Sequence, residues 1–264
     1  MKTNLQELFP DNREEGETKL RQCQLIMLRM LKVFDYLSKQ YEFDYWLEAG
    51  TLLGAVRHKG FIPWDSDVDI GILRADYEKF MRDASYALPE DIYLQTSDTE
   101  LGYYSKNIIK LRDKYSNYAQ WDGSGQYSEY HNGLFVDIYI YDHIYPKPVA
   151  KLHNVVTSFI KRLLHDDKYH SYWRFYALSH ETIFPLKHLE FEGMLIPCLN
   201  RYEDYLRFHF GDYMQPPPIE KQVPDNDVLE PFIPCNHRDI LFWNEQSRIE
   251  WSKAWGIKLD EDHQ

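Results

Sequence analysis

Asp67 and Asp69 stand two residues apart in the window 46–72, WLEAGTLLGAVRHKGFIPWDSDVDIGI. From Ser66 to Ile70 polar and apolar residues alternate as in a strand, and side chains two apart on a strand point to one face. Two hard carboxylate ligands side by side suit Mg2+ held jointly with a substrate phosphate, with Mn2+ as the alternative ion. Asp65 joins that face if the strand begins early. Taken alone, an Asp-x-Asp is more often an acidic turn than a metal site. This pair is not alone. Asp137 lies within the apolar run Leu134-Phe-Val-Asp-Ile-Tyr-Ile140, where a buried, unpaired carboxylate is costly and calls for a metal or another cation. Upstream, Gly50-Thr51 is expected between a strand and a helix. There Gly lets the backbone approach a ligand, Thr caps the helix or bonds a phosphate oxygen, and helix N–H groups face an anion.

The basic residues near this window have two readings each. Arg57, His58 and Lys59 end the expected helix from Leu52 to His58, where they either complement the helix dipole or meet donor phosphates. Lys110 and Arg112 alternate on an expected strand and are candidates for the same phosphates. His58 is a candidate proton donor, although a hydrogen-bonded structural role is commoner for such a residue. Cys198 with Cys235-Asn-His237 lacks an apparent fourth ligand, which disfavours zinc. Trp243, Trp251 and Trp255 are expected to pack a final helix on the domain, with sugar stacking or a membrane interface as the alternatives.

These residues need a scaffold. The spacing of Leu20, Leu25, Leu28, Leu31 and Leu37 predicts an amphipathic helix over 17–41. Tyr45-Trp46-Leu47 is a short apolar segment, Arg74 to Ala87 a helix, and Ile92 to Leu94 and Asn107 to Leu111 strands. The run around Asp137 is the strongest strand signal. Helices are expected over 149–165, 202–210 and 239–255, with a proline-rich strap at 215–234. The organisation expected is a mobile leader (1–16), one domain (17–214), and the strap with a C-terminal helix packed on it (215–264). Strands interleaved with helices give an α/β or α+β fold.

Composition narrows the function. The 264 residues include 30 Lys and Arg against 42 Asp and Glu, a net charge of −12, so a broad electrostatic grip on nucleic acid is disfavoured. Three cysteines cannot frame a chain of this length with disulfides, and their scarcity fits a reducing, cytoplasmic setting. No signal peptide or membrane-spanning segment is read; peripheral membrane association is left open.

The string from Gly50 to Ile70 resembles the signature of the LicD family of bacterial phosphocholine transferases, to which fukutin and fukutin-related protein are more distantly similar. Lys110-Leu-Arg-Asp-Lys114, Gly133-Leu-Phe-Val-Asp-Ile138, Tyr202-Glu-Asp-Tyr-Leu206 and Phe210-Gly-Asp-Tyr-Met214 agree in order, so the resemblance covers about residues 20–218. It implies a nucleotidyltransferase-type mixed sheet flanked by helices, with added N- and C-terminal helices. It also implies transfer of a phosphoalkyl group from CDP-choline or another CDP-alcohol to a hydroxyl of a glycan, lipid-linked or free. Asp67 and Asp69 would hold the metal, Asp137 would share it and deprotonate the acceptor, and Gly50-Thr51 with the Lys and Arg residues would steady the phosphates. Two alternatives stay open: a nucleotidyltransferase that attacks an NTP and releases pyrophosphate, and an inactive nucleotide- or glycan-binding module.

Overall fold

The computed structural model describes residues 4–100, 103, 105, 107–119, 131–164, 176–224 and 228–234. Its helices are α1 (Leu5–Leu8), α2 (Lys19–Tyr41), α3 (Ala49–His58), α4 (Arg74–Lys79), α5 (Lys147–Leu164), α6 (His180–Ile183) and α7 (Tyr202–Phe210). Its strands are β1 (Tyr45–Leu47), β2 (Asp69–Leu73), β3 (Ile92–Gln95), β4 (Ile108–Asp113), β5 (Asn117–Ala119), β6 (Phe135–Tyr141), β7 (Lys187–Phe191), β8 (Met194–Cys198) and β9 (Val228–Glu230). Seven strands form one sheet in the order β3-β4-β6-β2-β1-β8-β7, and β5 pairs with β9 beside it. The sheet is mixed: β2 runs parallel to β6 and β1 to β8, while the other neighbours are antiparallel. This is the α/β architecture expected.

α2 is the principal helix of the core. The Thr18 hydroxyl caps it by accepting from the Arg21 N–H, and Glu42 ends it in the left-handed region. Cys23, Met27, Met30, Leu31, Phe34 and Leu37 are buried at helical spacing, and the helix packs on β4, β6 and β9. The aromatic richness of the chain is largely core filling: Phe34 meets Phe43, Tyr45 and Phe80 at ring separations of 5.4, 5.2 and 5.1 Å. Arg29 crosses the core as a charge, paired with buried Asp91 at 2.9 Å.

The expected leader is packed where it is described. Leu5 is buried on α1, and Arg13, also buried, pairs with Asp113 at the end of β4 at 2.8 Å. Arg13 donates as well to the Pro231 carbonyl, beyond β9. The strap is therefore tied to the N-terminal segment at that point. The expected helix at 239–255, with Trp243, Trp251 and Trp255, and the Cys235-Asn-His237 triplet lie outside the described residues. No helix among the described residues is long and apolar enough to cross a membrane.

Two elements differ from expectation. Residues 74–87 are helical throughout but leave the α-helical repeat, passing through a π-helical stretch at Phe80–Ala84 and a 3-10 turn at Ser85–Ala87. Residues 187–198, where no strand is expected from the sequence, form the β7–β8 hairpin. Glu192 and Gly193 take φ of 50° and 76° at its tip, the two-residue turn that matches strand twist.

Candidate active site

Sheet register brings the site together. Asp69 at the start of β2 lies opposite Asp137 of β6, and Asp137 lies opposite Lys110 of β4. Residues opposed across neighbouring strands share a face, so one row across three strands holds two carboxylates and an ammonium. Lys110 Nζ and Asp137 Oδ1 form a nearly buried ion pair. The cation that Asp137 required is Lys110. Lys110 also lies over the Phe135 ring at 3.8 Å, and burial draws its pKa down against the upward pull of Asp137.

Asp65 and Asp67 reach the same place by another route. The strand begins at Asp69, not at Ser66, which corrects the expectation that Asp67 and Asp69 share a strand face. A turn bonded from the Asp65 N–H to the Ile62 carbonyl at 2.9 Å bends the chain there. The Asp65 carboxylate accepts the Ser66 N–H at 3.1 Å. Even so, the acids sense one another. The Asp69 carboxyl is pushed well above its ordinary range, first by burial and then by the charges of Asp67, Asp137 and Asp65, with Lys110 opposing.

Gly50 and Thr51 serve the aspartates. The helix starts at Ala49, so both lie in its first turn rather than ahead of it. Thr51 does not cap α3. Its Oγ1 accepts the Asp69 N–H at 2.8 Å and so fixes the backbone that carries the carboxylate. A Cβ on Gly50 would stand 3.0 Å from Asp65 Oδ2, so glycine there leaves room for that carboxylate.

The other basic candidates divide. Arg57 donates to the Tyr213 carbonyl at 3.0 Å and lies 6.0 Å from the Trp64 ring, which the His58 ring also meets edge-on. Both therefore border the turn that leads into Asp65. The pKa of each is drawn down by burial, with Arg57 adding to the effect on His58. Lys59 is exposed and pairs with Glu190 of β7 at 3.2 Å, about 13 Å along the helix axis from Gly50. Arg112 is buried, donating to Gln95 at 2.6 Å and to the Gly133 carbonyl at 2.7 Å. The structure brings Lys110 to the carboxylates and gives Arg112 and Lys59 structural contacts.

Two residues escaped sequence reasoning. Tyr139, two beyond Asp137 on β6, directs its hydroxyl at Asp137 Oδ2 at 3.5 Å. Glu48, fully buried ahead of α3, accepts from the hydroxyls of Tyr141 (2.5 Å) and Tyr205 (2.8 Å) and from the indole of Trp46 (3.0 Å). Burial lifts its pKa to about 7 against those hydrogen bonds. Its backbone N–H donates to the Asp69 carbonyl at 3.0 Å, and a Cβ on Gly71 would fall 2.3 Å from its Oε2. The available signal was its place in the motif window, an acid set between an apolar strand and an apolar helix.

Carboxylate oxygens are the ligand type that a hard divalent cation prefers. The Asp69 carboxyl is lifted first by burial and then by the charges of three neighbouring carboxylates, with Lys110 opposing. Among the described residues, no group of three or more His, Cys, Asp or Glu side chains stands arranged to hold a metal ion, and Asp137 is engaged by Lys110.

Comparison with known proteins places this arrangement. A family model described as LicD/FKTN/FKRP, nucleotidyltransferase domain, matches residues 42–201. The lipopolysaccharide cholinephosphotransferase LicD of Haemophilus influenzae is 28% identical over 266 residues, covering 81% of this chain and 98% of that protein. Human ribitol 5-phosphate transferase FKRP is 66% identical over only 32 residues, 12% of this chain and 6% of FKRP. Human ribitol-5-phosphate transferase FKTN is 27% identical over 129 residues, 46% of this chain and 27% of FKTN. With its mixed sheet and its row of carboxylates, the chain belongs to the LicD/FKTN/FKRP nucleotidyltransferase-domain family and is a phosphotransferase of the LicD type.

Proposed function

We propose that this enzyme moves a phosphoalkyl group, phosphocholine foremost, from a CDP-linked donor to a hydroxyl of a cell-surface glycan or its precursor, releasing CMP. The observation that carries the reading is the row Asp69, Asp137 and Lys110, with Asp65 and Asp67 alongside, in a chain similar along most of its length to a lipopolysaccharide cholinephosphotransferase. Carboxylates in excess repel a diphosphate unless a cation stands between them. Asp67 and Asp69, with Asp137 and Asp65 beside them, would hold Mg2+ or Mn2+, which when bound supplies charge stabilisation to the diphosphate oxygens.

The chain's own residues do the rest by position. Thr51 holds the Asp69 backbone, and Gly50 makes space for Asp65. Lys110 pairs with Asp137 and would serve the phosphates as a second source of positive charge. Asp137 would orient the acceptor hydroxyl and take its proton as the bond to CMP breaks.

Product analysis tests the proposal. With Mg2+, a glycan acceptor and a panel of CDP-alcohols that includes CDP-choline, CMP should appear in step with acceptor modification. Pyrophosphate released from an NTP would assign nucleotidyl transfer instead. Nucleotide binding with no product from any donor would leave a binding module.

A further inference from the structure

α5 is built inside out. At 100° per residue, Val149, Leu152, Val155, Val156 and Phe159 fall within about 120° of one helix face. All five are exposed, Leu152 to 67% and Phe159 to 63%. The face turned to the domain carries small or polar residues instead: Ala150 is buried, Thr157 half-buried, and Asn154 bonds the backbone of Ala177 through both Oδ1 and Nδ2, at 2.8 and 3.1 Å. A helix held by its polar side and showing its apolar side has a second surface to meet.

Charge says which surface. No Asp or Glu occurs from His143 to His165, whereas Lys147, Lys151, Lys161 and Arg162 all do, in a chain of net charge −12. Lys147 pairs with Glu181 of α6 at 2.5 Å, and Lys151 is exposed on the flank of the apolar stripe. An apolar stripe flanked by cationic residues, on a molecule that is otherwise acidic, is complementary to an anionic bilayer surface, where the acyl boundary takes the apolar side chains and the phosphates meet Lys151. We infer that α5 seats the protein on the anionic face of a membrane, with Leu152 and Phe159 entering the headgroup boundary and Lys151 at the phosphates. The inference goes beyond the transferase reading and does not depend on it.

Vesicle co-sedimentation of the full chain tests it, comparing phosphatidylcholine alone with equimolar phosphatidylcholine and phosphatidylglycerol. The wild type should bind the mixed vesicles and bind the neutral ones weakly. The double variant Leu152→Ser/Phe159→Ser should lose at least about tenfold in binding, and Lys151→Glu at least about fivefold, more so at low salt. Both should unfold at the wild-type temperature, since the altered side chains are exposed. Absence of wild-type binding to mixed vesicles, or equal binding by the variants, would overturn the inference. Two further results would also overturn it by naming another occupant. One is a lipid-free dimer that the double variant converts to monomer, which gives the stripe to a second copy. The other is a lower unfolding temperature of the double variant without lipid, which gives it to this chain itself.

Discussion

Glu48 offers a test that reads the buried electrostatics directly. Its carboxylate is sealed among Tyr141, Tyr205 and Trp46, and its pKa rises from 4.5 to about 7 because burial penalises the charged form more than three hydrogen bonds favour it. The folded protein therefore holds a proton there that the unfolded chain has released between those two values. Stability must fall as pH rises through that window and level off above it. At about 1.4 kcal/mol for each tenfold change in proton affinity, the loss attributable to this one group is about 3 kcal/mol.

Glu48→Gln removes the titration and nearly keeps the shape. One amide oxygen can still accept from the two tyrosine hydroxyls, but the amide N–H then faces the Trp46 indole N–H, at a cost of about 1–3 kcal/mol for the mismatched bond. The variant should be less stable than wild type below the window and about equal to it above. Urea unfolding of both proteins across the window gives the difference, and the difference cancels the contributions of Asp69, Asp76 and Asp113, whose carboxyls are also raised. A gap between the two proteins that stays constant with pH would refute the reasoning, because it would mean that Glu48 does not change charge there.

Asp67→Asn and Asp69→Asn should each lower turnover by at least about a hundredfold with the unfolding temperature retained, and EDTA should silence the wild type reversibly; steady-state rates with and without added Mg2+ check this. Lys110→Met should cost about 3–5 kcal/mol by leaving Asp137 nearly buried without its cation, whereas Lys110→Met with Asp137→Asn should cost markedly less, a double-mutant cycle measured by denaturant unfolding.

Much of this was legible in the residues, for reasons that differ between elements. The period of α2 and the apolar run of β6 are properties of single segments, so pattern alone found them. The β7–β8 hairpin was missed because β7, at the sheet edge, exposes Lys187, His188 and Glu190, which weakens the apolar alternation. Its signal was the Glu192-Gly193 turn. The motif was found as a string, but its geometry was not. That Asp69 starts the strand while Asp67 precedes it depends on a turn at Ile62 and on the Thr51 hydroxyl, eighteen positions earlier, which accepts the Asp69 N–H. Glu48 has partners on β1, β6 and α7, and no local pattern reports such distant neighbours.

The treatment of buried charge separates scaffold from site without reference to any relative. Asp113 is matched by Arg13 and Asp91 by Arg29, each acid meeting a guanidinium within 3 Å. Glu48 has no cation among its contacts and is relieved instead by a proton near neutrality. Around Asp69 neither remedy is complete. Three further carboxylates push on it, and one ammonium, already engaged with Asp137, opposes them. A folded chain tolerates such an imbalance at a place where a positively charged ligand or a metal–phosphate pair completes it. Thr51 and Gly50 show that the imbalance is held in place rather than incidental, since each is fitted to one of the aspartates that create it.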